Sequence, residues 1–256
     1  MRTKRIDQIE TYVLENKTVT LDKLCKNFNV SKNTIRRDID QLITRGKITK
    51  VYGGVTAISK QDSNFRTIIP FAKRNSTLEK EKDAICREAA SFIHDGDTIY
   101  IDTGTTSQNL VDYIANKHCT IITNSLQVSV KAVPYPNLNV ISLTGTLKRD
   151  TLSFVGSQIM HELETYNINK AFLCCTGLSL NNGLTNATTD EYEIKKSVIK
   201  NSQTRILLAD HSKFDKFTLM TFSPISSMQY IVTDREPEEK YMRHLKEHGV
   251  VLQLAT

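Results

Sequence analysis

The stretch Val30-Ser-Lys-Asn-Thr-Ile-Arg-Arg-Asp-Ile-Asp-Gln-Leu42 decides how the N-terminal quarter of the chain folds. Ser31 can accept hydrogen bonds from the free amides that open a helix. Ile35, Ile39 and Leu42 then recur on one helical face, and Gly46 suits the helix end. Asn33, Arg36, Arg37 and Asp40 fall on the opposite face, at i, i+3, i+4 and i+7. Ser31, Lys32, Asn33 and Thr34 crowd the first turn, where unpaired amides and the helix dipole favour phosphate. On a helix lying in the major groove, Asn can read adenine and Arg guanine, while Lys and hydroxyls mostly hold phosphates.

Working upstream, Ile6, Ile9 and Val13 predict a helix from about Arg2 to Leu14, closed by a turn at Asn16-Lys17. Thr20 can cap a second helix whose apolar face is Leu21, Leu24, Cys25 and Phe28 and which stops at Asn29-Val30. Phe28-Asn-Val-Ser31 is then a turn of the length that a helix-turn-helix needs. Downstream, Ile48-Thr-Lys-Val-Tyr52, Gly53-Gly54 and Val55-Thr-Ala-Ile58 read as a hairpin around a Gly-Gly turn. As a wing it would bring Lys47, Lys50, Tyr52, Gly53 and Gly54 near the sugar-phosphate backbone; a merely stabilising hairpin is the other reading. Residues 1–58 are thus expected to form a winged helix-turn-helix.

Charge follows the same division. Residues 1–60 hold 13 Lys/Arg against 6 Asp/Glu, and the other 196 hold 21 against 22. The whole excess of the +6 net charge sits in the first quarter, as in a small reader of a polyanion joined to a neutral body. Apolar runs such as Ala171-Phe-Leu-Cys-Cys175 are too short to span a membrane, and Met1 to Gln8 contains no apolar leader core. The five cysteines contain no CxxC, which argues for reduced thiols, a cytoplasmic location and no zinc site.

Residues 59–77 are polar, lack a period and contain Pro70, so they read as a linker. From 78 to 256 the pattern is α/β. A helix runs from Glu79 to His94, and the first strand, Thr98–Asp102, follows the Asp95-Gly-Asp97 turn. Further apolar strands fall at 120–123, 139–143, 170–175, 205–209, 229–233 and 249–254, with helical stretches such as 107–116 and 190–201 between them. This alternation predicts a mostly parallel sheet flanked by helices.

Ligands of such sheets lie beyond the carboxyl ends of the strands. Small polar residues occupy those places: Asp102-Thr-Gly-Thr-Thr106, Thr123-Asn124-Ser125, Thr176-Gly177 and Gly183-Leu-Thr185. Amides near Gly104 with the Thr105 and Thr106 hydroxyls can cradle a phosphate. GxxxxGK[ST] is absent, so a nucleoside triphosphate is not expected. Each segment alone reads as a turn; together they favour a ligand site. Glu191 and Lys195, four apart on a helix, fit either the site or a plain surface pair. Asp210, His211 and Lys213 follow a strand, where Lys213 suits a ligand phosphate.

The helix Val30–Leu42, Gly46 and Val51-Tyr-Gly-Gly-Val55 resemble the DNA-binding signature of DeoR-family regulators. Asp102-Thr-Gly-Thr-Thr106, Thr123-Asn124, Gly183-Leu-Thr185, Glu191-x-x-x-Lys195 and Leu207-Leu-Ala-Asp-His-Ser-Lys213 are similar to that family's effector domain. Gly145-Thr146 stands where many members have Gly-Gly. The effector domain of the family resembles sugar-phosphate isomerases of the ribose-5-phosphate isomerase type, which implies a phosphorylated sugar or sugar-acid effector. Asn167-Ile-Asn-Lys-Ala-Phe172 looks most like the branch that represses inositol catabolism. The resemblance implies a repressor of a sugar or polyol operon. It would act as a dimer or tetramer on double-stranded operator DNA and leave it when effector binds. No catalytic residue is expected, because no tight acidic cluster backs the phosphate-like loops, and no cofactor or metal is expected. The competing readings are a sugar-phosphate isomerase carrying an added DNA-binding domain and an architectural DNA-binding protein without effector control.

Overall fold

The structure is a computed structural model that describes all residues except 1, 17, 45–47, 52–53, 58–70 and 256. Within its helices and strands, the side chains of 2–4, 18, 44, 49–51, 56–57 and 72 also lie outside the description. The chain divides into two units, Met1–Phe65 and Arg66–Thr256.

In the first unit the elements are α1 (Arg2–Asn16), β1 (Thr18–Thr20), α2 (Leu21–Phe28), α3 (Lys32–Thr44), β2 (Ile48–Val51) and β3 (Gly54–Ala57). Local chemistry sets the helix starts. Thr20 Oγ1 accepts from the Lys23 amide at 3.3 Å, and Ser31 Oγ accepts from the Thr34 amide at 3.3 Å. Asn29 ends α2 in a left-handed conformation, φ 48°, which Asn tolerates better than most residues. Ile6, Ile9, Val13, Leu24, Ile35, Ile39 and Leu42 close a common core with Val19, Ile48 and Val55. An ion pair fastens α3 to α1: Arg5 Nε lies 2.8 Å from Asp38 Oδ2, whose side chain is almost fully buried.

β1 is absent from the expectation drawn from sequence. It pairs antiparallel with β3, Val19 opposite Val55, so the wing is part of a three-stranded sheet, β1-β3-β2. Three residues are too few for a period-2 pattern to register. Gly54 belongs to this sheet: a Cβ there would stand 2.4 Å from the Val19 carbonyl oxygen. It is buried against β1. Tyr52, Gly53, Lys47 and the helix end at Gly46 lie outside the described residues, as does the Lys50 side chain.

The second unit opens with α4 (Phe71–Asn75), inside the stretch expected as linker, most of which is outside the described residues. There follow α5 (Glu79–Ala90), β4 (Thr98–Ile101), α6 (Leu110–Tyr113), β5 (Cys119–Thr123), α7 (Leu126–Ala132), β6 (Leu138–Ser142), β7 (Thr146–Lys148), β8 (Ser153–Val155), α8 (Ser157–Thr165) and β9 (Ile168–Cys174). The chain continues through β10 (Gly177–Ser179), β11 (Gly183–Asn186), α9 (Thr189–Lys200), β12 (Ser202–Leu208), β13 (Met220–Ser223), β14 (Tyr230–Thr233), α10 (Glu239–Glu247) and β15 (Val251–Leu254). α5 stops before the expected His94, whose amide donates instead to Asp97 Oδ2 at 2.7 Å.

Seven strands form one parallel sheet in the order β15-β14-β12-β9-β4-β5-β6. Side chains alternate between its faces. Tyr100, Leu173, Leu207 and Ile231 join one cluster with α8, α9 and α10 residues. Ile99, Ile101, Phe172, Ile206 and Val232 join another with α5, α6 and α7 residues. Burial on both faces explains why these strands read as continuous apolar runs. From β4 the chain winds outward through β5 and β6, then returns to β9 on the other side of β4. The carboxyl ends of β4 and β9 therefore flank a topological switch point, where a crevice opens in such sheets. Two antiparallel additions were not expected, the β7–β8 hairpin and the sheet β10-β11-β13. Gly183-Leu-Thr185, which reads as a turn when taken alone and as part of a ligand site with the other segments, is strand β11.

Candidate functional site

Two candidate sites lie on these frames. In the first unit, Ser31, just before α3, and Lys32, Asn33, Arg36, Arg37 and Asp40 on it are exposed, opposite the buried Ile35, Ile39 and Leu42. Ser31 and Thr34 are engaged with one another, their hydroxyls 3.0 Å apart. Lys32 Nζ lies 2.6 Å from Asp22 Oδ1 on α2, an exposed pair that a phosphate can displace at little cost. The hydrogen bond to Asp22 raises the Lys32 pKa, so the ammonium stays charged. Asn33, Arg36 and Arg37 leave their side chains on the face that a groove would meet.

In the second unit a small cleft, with a cavity volume of about 30 Å³ and partly open to solvent, lies over the switch point. Its floor is the loop Thr103–Thr106 after β4 and the end of β9, Cys174–Thr176. A Cβ on Gly104 would meet Cys174 Cβ and Sγ at 2.4 Å, so only glycine lets the loop lie this close to β9. Asn186 ends β11, Glu191 and Lys195 project from α9, Lys213 follows β12, and Thr151, Phe71 and Arg74 complete the lining.

Asp102 is the knot beneath the floor. It is buried, accepts from the Thr103 amide at 2.8 Å and the Cys174 amide at 2.7 Å, and forms an ion pair with Lys195 Nζ. Lys195 Nζ also donates to the Cys174 carbonyl at 2.8 Å. Burial by itself lowers the Lys195 pKa, but Asp102 and then Glu191 outweigh it and leave it raised. Glu191 itself accepts from Asn186 Nδ2 at 3.2 Å. Lys213 Nζ stands 3.7 Å from Asp210 Oδ2 and is mostly shielded. Burial pushes the Asp210 carboxyl up, yet Lys213 and the Ser212 hydrogen bonds more than offset it and leave the pKa below the ordinary 3.8. Burial raises the Cys175 thiol to about 12 and pushes Cys174 the same way, so both wall thiols stay protonated.

Residues 5–61 match the DeoR-like helix-turn-helix domain, and residues 78–235 match the DeoR C-terminal sensor domain. The chain belongs to the DeoR family. It is 44% identical to the HTH-type transcriptional regulator IolR of Bacillus subtilis (strain 168) over 256 residues, 100% of each chain. The HTH-type transcriptional repressor GlcR of the same organism is 28% identical over 97% of this chain and 95% of its own. The glycerol-3-phosphate regulon repressor of Escherichia coli (strain K12) is 28% identical over 99% of each. Among solved structures, ribose 5-phosphate isomerase A from Methanocaldococcus jannaschii aligns with 54% of this chain and 55% of its own, at 19% identity and a TM-score of 0.41.

Within this DeoR-family sensor domain, the cleft brings together Gly104, Thr105, Thr106, Thr176, Glu191, Lys195 and Lys213 of the residues singled out by sequence. Others do not reach it. Asp102 and Asp210 lie behind Lys195 and Lys213 as their counter-charges. Thr123 Oγ1 donates to the Ile101 carbonyl at 2.7 Å, and Asn124 joins Tyr100 Oη at 2.7 Å to the Phe154 carbonyl at 2.9 Å. Both are buried braces at the end of β5, one strand away from the switch point. Gly177 is a close-approach position, since a Cβ would stand 2.5 Å from the Lys216 carbonyl oxygen. Gly145 likewise packs on the Val155 carbonyl rather than lining the cleft. Phe71, Arg74, Thr103, Thr151, Asn186 and the two cysteines are lining residues that sequence reasoning missed. Thr103 was within reach, being inside the quoted loop; Arg74 carried no signal in a stretch without period. Among the described residues no helix is long and apolar enough to cross a membrane, and no group of three His, Cys, Asp or Glu could hold a metal.

Proposed function

We propose that the protein is a cytoplasmic, ligand-controlled repressor of a sugar or polyol operon, released from its operator by a phosphorylated sugar or sugar acid. The observation that carries this reading is the cleft at the switch point, with a glycine–threonine loop on one side and Lys213 on the other. A phosphate finds backbone amides, hydroxyls and a shielded ammonium there, while Glu191 and Asn186 offer acceptors and donors to hydroxyl groups. Five free thiols support a reducing compartment. Twofold symmetry is the common solution for operator binding, which supports a dimer or a dimer of dimers.

On the DNA side, Asn33, Arg36 and Arg37 are proposed to read bases, and Lys32 and Lys50 to hold phosphates. Arg36→Ala is expected to weaken binding to the operator by about 1–3 kcal/mol and to relax preference at one base pair. Fluorescence anisotropy with the operator and single-base variants at several salt concentrations checks this; unchanged affinity and preference would remove Arg36 from the reading set.

The isomerase alternative needs a positioned base beside the substrate carbonyl. Asp102 is engaged by Lys195 and two amides, and Asp210 by Lys213, which among the described residues leaves Glu191 as the carboxylate facing the cleft. Its bond to Asn186 and the protonated wall thiols favour binding over chemistry. The purified protein is expected to convert no ribose 5-phosphate above the buffer rate; turnover lost in Glu191→Gln would establish an enzyme instead.

A further inference from the structure

We infer that α4 is a wall of the effector site, with Arg74 as a second cation that grips the anionic group opposite Lys213. Through it the effector holds the first helix that follows residues 58–70, the segment leading from the DNA-binding unit. This rests on the reading of the cleft as an anion site. Phe71 and Arg74 stand three residues apart on α4, and both line the cleft. The Arg74 guanidinium carbon lies 5.5 Å from the Phe71 ring centroid, a cation–π arrangement that orients the fork. Arg74 Nε is shielded from solvent and has no hydrogen-bond partner, and Arg74 appears in none of the ion pairs among the described residues. A shielded guanidinium donor without an acceptor is costly, and an anionic oxygen is the acceptor that best answers it.

The neighbouring cations are differently placed. Lys195 is committed to Asp102. Lys82 Nζ, from α5, donates to the backbone carbonyl of Arg74 itself. Burial, then the positive charges of Lys213 and Arg74, lower the Lys82 pKa, so three cations converge here with Asp210 as the near counter-charge. An entering dianion relieves that repulsion. α4 is also coupled to the threonine loop: Gln108 Nε2 donates to Asn75 Oδ1 and reaches the Thr105 carbonyl at 3.4 Å. The threonine loop and the helix beside it thus share one chain of hydrogen bonds.

The test uses full-length protein and inorganic phosphate, titrated at constant ionic strength, with amide hydrogen exchange followed by mass spectrometry. In the wild type, phosphate should slow exchange in peptides covering 102–108 and 71–78 together. Arg74→Met should weaken the apparent phosphate affinity by about tenfold or more, the usual effect of losing a charged hydrogen-bond partner. At saturating phosphate it should keep protection at 102–108 and lose it at 71–78, with Arg74→Lys intermediate. Equal affinity and equal protection at 71–78 in wild type and Arg74→Met would overturn the role of Arg74 while leaving the anion site standing. No protection at 102–108 in the wild type would overturn the anion site and this inference with it. If Arg74→Met already exchanges globally without phosphate, Arg74→Lys is judged by the same criterion.

Discussion

Replacing Lys195 by methionine is expected to cost the C-terminal unit about 3–5 kcal/mol of stability, the usual penalty for removing one partner of a buried ion pair. Asp102 would keep its amide donors from Thr103 and Cys174 but lose the only cation paired with it among the described residues. The carboxylate sits between the ends of β4 and β9, so the loss is felt where the sheet opens its crevice. For a unit of this size, 1 kcal/mol corresponds to about 2–4 °C in Tm, and calorimetry should show a drop of roughly 6–20 °C. Asp102→Asn combined with Lys195→Met removes both charges and should be markedly less damaging than the two single changes added together. Strict additivity of the single changes would mean that the pair is not the knot described above.

Lys213→Ala is expected to remove the response to effector at concentrations that saturate the wild type. A lysine shielded from solvent and aimed at a phosphate contributes a charge-assisted hydrogen bond whose loss costs about 1.5–3 kcal/mol, a tenfold to hundredfold weaker effector affinity. Its counter-charge Asp210 is buried and would remain, turning the local field against an anion. The readout is the ratio of operator Kd values with and without effector, which cancels any change in DNA affinity common to both. In cells the variant should be super-repressed. Lys213→Arg keeps the charge but not the shape, and partial response is expected. A wild-type ratio in Lys213→Ala would place the controlling ligand elsewhere.

The parts of this structure that sequence made legible are those governed by neighbours along the chain. Thr20 and Ser31 announce helix starts because a cap acts over three residues, and Ile35, Ile39 and Leu42 announce a face because a helix repeats every 3.6. The parallel strands were legible because both faces are buried. Strand β1 was not, being three residues whose pairing with β3 is decided by tertiary contact, and the packing of Gly54 on Val19 was hidden with it. In the cleft, glycine and threonine at strand ends marked the floor. What escaped was direction and distance. Sequence left Glu191 and Lys195, four residues apart, as either site residues or a surface pair, and gave no sign that Lys195 turns to Asp102, 93 residues away. Thr123 and Asn124 have the composition of a ligand loop, yet the order of the sheet sets them one strand beyond the switch point. Phe71 and Arg74 lay in a polar stretch where a five-residue helix is too short to show a period.

The central claim is that occupancy of the C-terminal cleft by a phosphorylated sugar loosens the grip on DNA. The most direct measurement is operator affinity of the full-length protein, by fluorescence anisotropy at fixed ionic strength, across phosphorylated sugars and sugar acids and their unphosphorylated parents. At least one phosphorylated compound should weaken operator binding by about 5–150-fold, the range of coupling energies typical of two linked sites, and its parent at equal concentration should not. Operator affinity that no phosphorylated compound moves, or that the parents move equally well, would contradict the account.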